Sequence, residues 1–194
     1  MGGSCGYPSR MPRLYTRTGD DGTTGLLYGG RMSKADPVAE VVGTLDEVVA
    51  ALGLVRASSE DPGLAEELLG LQRELFVVGA DVATNPGQRS RLEPGVSLVT
   101  DEMVARLESW IDRLVEARPL PAVFVVPGAN PVSAALDLAR AVVRRAERRA
   151  VGAREAEAEI GDPVLRYVNR LSDLLFALAR TAAGEDEPPS RPAE

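Results

Sequence analysis

The chain has 194 residues, 44% of them hydrophobic but only 4% aromatic, with a net charge of -7, one cysteine (Cys5) and no histidine. That size and apolar content point to one domain with a real core. The missing histidine excludes a Ser-His-Asp triad, an HExxH metalloprotease, a Glu-x-x-His di-iron bundle and a Cys/His zinc site. The acidic balance argues against a general nucleic-acid binder, the single cysteine suits a reducing cytoplasm, and no run is apolar enough to span a membrane.

Residues 1–13 read as a loose tail rather than a signal peptide, because they lack an apolar core. The stretch 15–34, YTRTGDDGTTGLLYGGRMSK, follows. It carries five glycines, four threonines, two arginines and a lysine. Glycines let backbone N–H groups turn toward an anion, and hydroxyls and a lysine add donors. The same composition also suits a plain loop or a β-hairpin turn. It matches neither a Walker A loop nor a dinucleotide fingerprint.

Helical signals then recur to the C-terminus. Asp36-Pro37, Asp61-Pro62, Asn130-Pro131 and Asp162-Pro163 each pair a capping residue with a proline that has no donor to lose. A further start lies at Thr100, with Asp101 and Glu102 in its first turn. Apolar residues repeat at helical spacing over 37–57, 62–83, 101–117, 131–151 and 163–183. The expected fold is all-α, a five-helix up-and-down bundle. Ala122–Val126 reads as an extended, buried crossover. Residues 184–194, GEDEPPSRPAE, offer nothing to bury and read as a disordered tail.

Three features carry possible chemistry beyond the loop. Five arginines and one glutamate fall within 140–149 of an acidic chain. At about 100° per residue, Asp137, Arg140, Arg144, Glu147 and Arg148 share about one third of the fourth helix's circumference, with Arg145 and Arg149 directed away. Such runs are usually solvated faces. However, like charges at i,i+4 repel unless an anion sits between them. Asn169 and Asp173 flank the last apolar stripe. Asp46 lies at the margin of the first, where a carboxylate wants a partner such as a fourth-helix arginine.

Five segments in order carry a family resemblance: YTRTGDDGTTGLLYGGR with Lys34, VGTLDE at 42–47, FVVPG at 124–128, ARAVVRRAERR at 139–149 and RYVNRLSDLLFALAR at 166–180. Together they resemble the propanediol-utilisation type of ATP:cob(I)alamin adenosyltransferase across about 15–180. The resemblance implies a single helical domain over 14–183 with a phosphate-binding loop at 15–34. It implies a ferritin-like bundle that forms a homotrimer with active sites between subunits. The implied reaction moves the 5′-deoxyadenosyl group of ATP, with Mg2+, to the cobalt of cob(I)alamin, leaving triphosphate. A cobalamin reductase and an adenosylcobalamin-dependent mutase are the implied partners.

By position, Thr16, Arg17, Thr18, Gly19, Thr23 and Thr24 match the family's phosphate loop, and Lys34 matches its lysine. Arg140 matches an arginine that pairs across subunits with the carboxylate at Asp46. Arg144, Glu147, Arg145 and Arg148 match ATP-contacting positions, as does Asn169. Phe124 matches an aromatic that helps displace the lower axial ligand of the corrin. Asp137 departs from the family, where histidine is frequent, and so do Ala129 and Asn130. Two rivals are a carboxylate-rich nucleotide pyrophosphohydrolase and a non-catalytic helical carrier. Against the first, Glu66-Glu67 and Asp101-Glu102 are adjacent pairs that do not share a helix face.

Overall fold

The computed structural model describes residues 15, 17–185 and 187–191. The stretch 1–13 and Thr16 lie outside the described residues. A hairpin of β1 (Thr23–Gly25) and β2 (Arg31–Ser33) precedes helices α1 (Pro37–Ser58), α2 (Pro62–Val82), α3 (Asp101–Ala117), α4 (Pro131–Glu155) and α5 (Asp162–Ala183). A 3-10 helix, Pro86–Arg91, lies between α2 and α3.

The capping signals act as side-chain chemistry requires. Asp36 accepts from the Val38 N–H at 2.9 Å, and Asp61 from the Gly63 N–H at 2.8 Å. Asn130 and Ser133 cap each other's backbone N–H groups at the start of α4. Asp162 departs from the expectation. It is already inside α5, Gly161 is the cap, and no side chain caps that end. The Asp162 carboxylate instead meets Arg154 at 2.5 Å, so it ties the two helices together across their connection. α4 also runs past its predicted end at 151, because Ala153 continues the buried stripe.

Space does not follow sequence order. α4 packs against both α1 and α5, while α3 leans mainly on α5 and α2 on α1. α5 is therefore central, and it buries residues around most of its circumference, including Tyr167 and Leu174 outside its predicted stripe. The fully buried Tyr167 donates to Glu74 at 2.7 Å, and Arg106 pairs with the same carboxylate. Burial raises the Tyr167 hydroxyl well above its ordinary range.

The connection from α2 to α3 is held by a buried carboxylate. Asp81 lies 2.6 Å from the Arg89 guanidinium and accepts from the Val99 N–H at 2.9 Å. Removing it strands the Val99 N–H and leaves the Arg89 guanidinium only the Asp81 backbone carbonyl at 3.0 Å and Glu159 at 3.8 Å. Asp81→Ala is expected to cost about 3 kcal/mol of stability, read from urea unfolding. A loss below about 1 kcal/mol would mean that other contacts hold this connection.

Two extended segments differ from expectation. The stretch 122–126 is not a buried crossover: Val123 and Phe124 are largely exposed. The C-terminal stretch is not free along its length either. Val125 and Pro189 form an antiparallel bridge, with Val126 N–H to Pro188 C=O at 2.9 Å and Ser190 N–H to Phe124 C=O at 2.7 Å. A strand edge needs partners for its amides, and these two segments supply each other's.

Candidate active site

The glycine-rich loop is an ordered hairpin. β1 and β2 pair antiparallel, with Thr24 opposite Met32. Arg31 organises the turn before it by donating to the Thr18 carbonyl and, at 2.7 Å, to Thr23 Oγ1. Thr23 in turn gives both its N–H and hydroxyl to Asp21. Those bonds, the hydroxyl first, hold the Asp21 carboxyl below its ordinary value. Lys34 Nζ donates to the Gly19 carbonyl at 2.8 Å. A Cβ at position 19 would press on that amine at 3.2 Å, so glycine lets Lys34 lie across the turn. Arg17 adopts a left-handed backbone, φ 63°. Arg31 and Asp21 were not singled out in the sequence, although the alternation of Asp, Thr and Arg at short range is a turn signal.

The hairpin's far end docks on the bundle. Leu27 exchanges backbone bonds with Ala83 and Asn85, and the Asn85 amide donates to the Gly29 carbonyl. Gly30 sits at φ 90°, where a Cβ would fall 2.9 Å from that amide nitrogen. The loop is thus fixed beside the end of α2, and a cavity beneath it reaches the last turn of α4. Among the described residues, no hydrogen bond or ion pair joins Arg17, Thr23, Thr24 or Lys34 to Arg140, Arg144 or Arg148.

The arginines of α4 divide into two groups. Arg145 pairs with Glu47 of α1, and Arg149 pairs with Glu40 at 3.1 Å while donating to Thr44. Those two face α1, so an ATP role for Arg145 must compete with an existing ion pair. Arg140 stacks over Phe176, 5.2 Å from the ring centroid. Arg144 and Arg148 are exposed and pair with nothing among the described residues. Asp46 is also exposed, and among the described residues no fourth-helix arginine pairs with it.

Glu147 and Asn169 do come together. The Asn169 amide donates to Glu147 at 2.8 Å and accepts from Arg170 at 2.8 Å, and Arg170 also donates to Glu108. One polar chain therefore crosses from α3 through α5 to α4.

Next to it opens a cleft of about 540 Å3 between α3, α4, α5 and the 120–127 stretch. Its lining includes Arg140, Asp137, Asp173, Phe176 and Phe124, which is 88% exposed at the rim. Arg180, buried beneath it, pairs with Asp137 and stands 4.9 Å from the Phe176 centroid. Phe176 and Arg180 were missed as site residues because they lie within an apolar helical run that reads as core.

The family model for cobalamin adenosyltransferase matches residues 14–182. A corrinoid adenosyltransferase of Citrobacter freundii is 42% identical over 171 residues, 88% of this chain and 94% of that protein. One from Bacillus subtilis is 42% identical over 172 residues, 87% and 85% respectively. Among solved structures, a PduO-type ATP:corrinoid adenosyltransferase from Lactobacillus reuteri, a phenylalanine-to-alanine variant complexed with cobalamin and ATP, superposes with a TM-score of 0.80 at 32% identity. The match covers 91% of this chain and 97% of that one. With nearly all of the described helices inside the matched span, the chain belongs to the cobalamin adenosyltransferase family.

Proposed function

We propose that this corrinoid adenosyltransferase joins ATP and cob(I)alamin at a site shared between copies of the chain. The cobalt electron pair attacks C5′ of ATP, the C5′–O bond breaks, and its electrons leave with triphosphate. Cob(I)alamin is its own nucleophile, so the protein needs no nucleophilic side chain. Its work is to align C5′ with cobalt, exclude water and stabilise the leaving anion.

The observation that carries this reading is the unpaired arginine pair, Arg144 and Arg148, on an acidic protein beside an open cleft. Repulsion between them is relieved by a polyanion. The triphosphate would bridge this arc to the Thr16–Thr24 loop and Lys34 of another copy. In this reading Glu147 and Asn169 meet the nucleoside end, and Phe124 and the cleft meet the corrin. Among the described residues no three or more carboxylate or thiol groups converge as a metal site. Mg2+ would therefore be held by phosphate oxygens and water, where it neutralises charge on the leaving group.

A homotrimeric five-helix up-and-down bundle fits the faces left open. α1 presents exposed Asp46 and Leu54, and α4 presents exposed Arg144, Arg148 and Val151 along one stripe, with exposed Leu138 about a third of a turn away. In this arrangement Asp46 of one copy meets Arg140 of the next. Asp46→Ala and Arg140→Ala are each expected to raise the ATP KM about tenfold and to loosen the trimer. The double variant should be no worse than either single one. Sedimentation velocity and steady-state kinetics check this, and additive losses would rule the pair out. We place the enzyme in the cytoplasm, with a reductase supplying cob(I)alamin and a mutase receiving the product. No helix among the described residues is long and apolar enough to cross a membrane.

The deciding experiment is anaerobic. The protein is mixed with MgATP and chemically reduced cob(I)alamin, and light-sensitive adenosylcobalamin and triphosphate are measured. Equal amounts of both support the reading. ATP binding without either product would leave a carrier, and pyrophosphate formed without cobalamin would mark a pyrophosphohydrolase.

A further inference from the structure

The C-terminal segment carries a carboxylate that the reaction above does not use. Glu187 has a side chain only 5% exposed, and its Oε2 lies 2.7 Å from Arg180 Nε. Its other oxygen is buried without a hydrogen-bond partner among the described residues. Arg180, equally buried, also pairs with Asp137 of α4, so two carboxylates share one guanidinium. Three residues further on, Ser190 donates to the carbonyl of Phe124, and Pro188 accepts from Val126. The same few residues thus plug into α5 at one end and form the strand partner of Phe124 at the other.

We propose that Glu187 is a positioning residue for adenosylation: through Arg180 it docks residues 187–190 against 124–126 and so fixes Phe124 at the rim of the cleft. The inference rests on the reading that Phe124 acts on the corrin. An 88% exposed phenylalanine on a stretch flanked by prolines has few contacts of its own to hold it. The backbone bonds to 188 and 190 supply them, and Glu187 supplies the anchor. Asp137, the family departure, gains a role here: it holds the far side of Arg180 and keeps the guanidinium fixed for Glu187.

The docking is linked to pH. Groups facing Glu187 are Arg180 from α5, Asp137 from α4 and Arg118 after α3. Burial above all, aided by Asp137, raises its carboxyl against the pull of Arg180 and Arg118. A carboxyl that titrates higher when docked than when released binds its proton more tightly in the docked state. Docking is then strongest at low pH and weakens as pH rises through the raised value. A neutral isostere keeps the contact and removes the dependence.

The test uses full-length Glu187→Gln, Glu187→Lys and Ser190→Pro beside Phe124→Ala. Adenosylation is followed from cob(II)alamin plus reductant and, separately, from cob(I)alamin. The absorption and paramagnetic resonance signatures of lower-ligand loss are recorded for cob(II)alamin with MgATP. Glu187→Lys is expected to slow the cob(II)alamin route about tenfold and to diminish the four-coordinate signature. ATP KM and the cob(I)alamin route should stay within about twofold. Ser190→Pro, which removes the N–H donor to Phe124 and stiffens the backbone beside it, should copy it. Glu187→Gln should keep the rate and flatten the pH profile. Wild-type behaviour of Glu187→Lys and Ser190→Pro while Phe124→Ala is slow would overturn the proposal and leave the Phe124 reading intact. Equal loss on both routes with weakened ATP binding would reduce Glu187 to a structural role, which also overturns it. A full-rate Phe124→Ala enzyme would remove the reading itself, and this proposal with it.

Discussion

Arg144→Ala is expected to lower kcat for adenosylation about a thousandfold, equivalent to about 4 kcal/mol of lost transition-state stabilisation. Arg144 is exposed, pairs with nothing among the described residues, and stands one turn from both Arg140 and Arg148. Negative charge on the leaving oxygen grows as the C5′–O bond breaks, so an arginine aimed there acts mainly in the transition state. Arg144→Lys keeps the charge but loses the planar fork that grips phosphate, and should fall between the two. Stopped-flow formation of adenosylcobalamin at saturating MgATP measures both. An alanine variant that raised only the ATP KM would show that Arg144 binds the ground state and the transition state alike.

Phe124→Ala is the second large effect. Leaving so much aromatic surface in water forfeits about 2 kcal/mol of burial, which an apolar ligand covering the ring would recover. The open cleft beside it offers the place for a corrin face. The variant should adenosylate cob(I)alamin at near wild-type rate with unchanged ATP KM. Starting from cob(II)alamin it should be about a hundredfold slower, because the lower ligand stays on and the five-coordinate cobalt resists reduction. Full speed from cob(II)alamin would remove the ring from that step.

Much of the molecule was legible from local chemistry. The Asp-Pro and Asn-Pro starts are set by the donors of the first helical turn, and the apolar stripes by the helical repeat, so α1 to α4 begin where those residues stand. The one misplaced start, Asp162, failed because a carboxylate chooses between a backbone N–H and an arginine, and Arg154 is near only once α4 and α5 are packed. The loop at 15–34 and the arginine arc were likewise visible as composition, but glycines, threonines and clustered like charges suit a turn and a solvated face as well as an anion, and the family resemblance alone chose between them.

Which arginine does what was not visible in that way. Periodicity put Arg145 and Arg149 on the side away from the arc, but only the packing of α4 on α1 brought Glu47, Glu40 and Thr44 to them. The wide burial of α5, which leaves an edge of Asp162, Arg166 and Asp173 exposed, was hidden too, because a central helix takes its second buried face from a neighbour remote in sequence. The C-terminal stretch showed the same limit. GEDEPPSRPAE has no apolar residues worth burying, yet Glu187 finds Arg180 and Ser190 finds Phe124, contacts made by single charges and backbone amides that no composition records. Length, helical repeat and capping chemistry thus determined the helices, while the class of ligand was legible only through the family resemblance. Charge pairing across packed faces, which depends on distances the chain acquires only on folding, decided which arginines stay free and what holds Phe124.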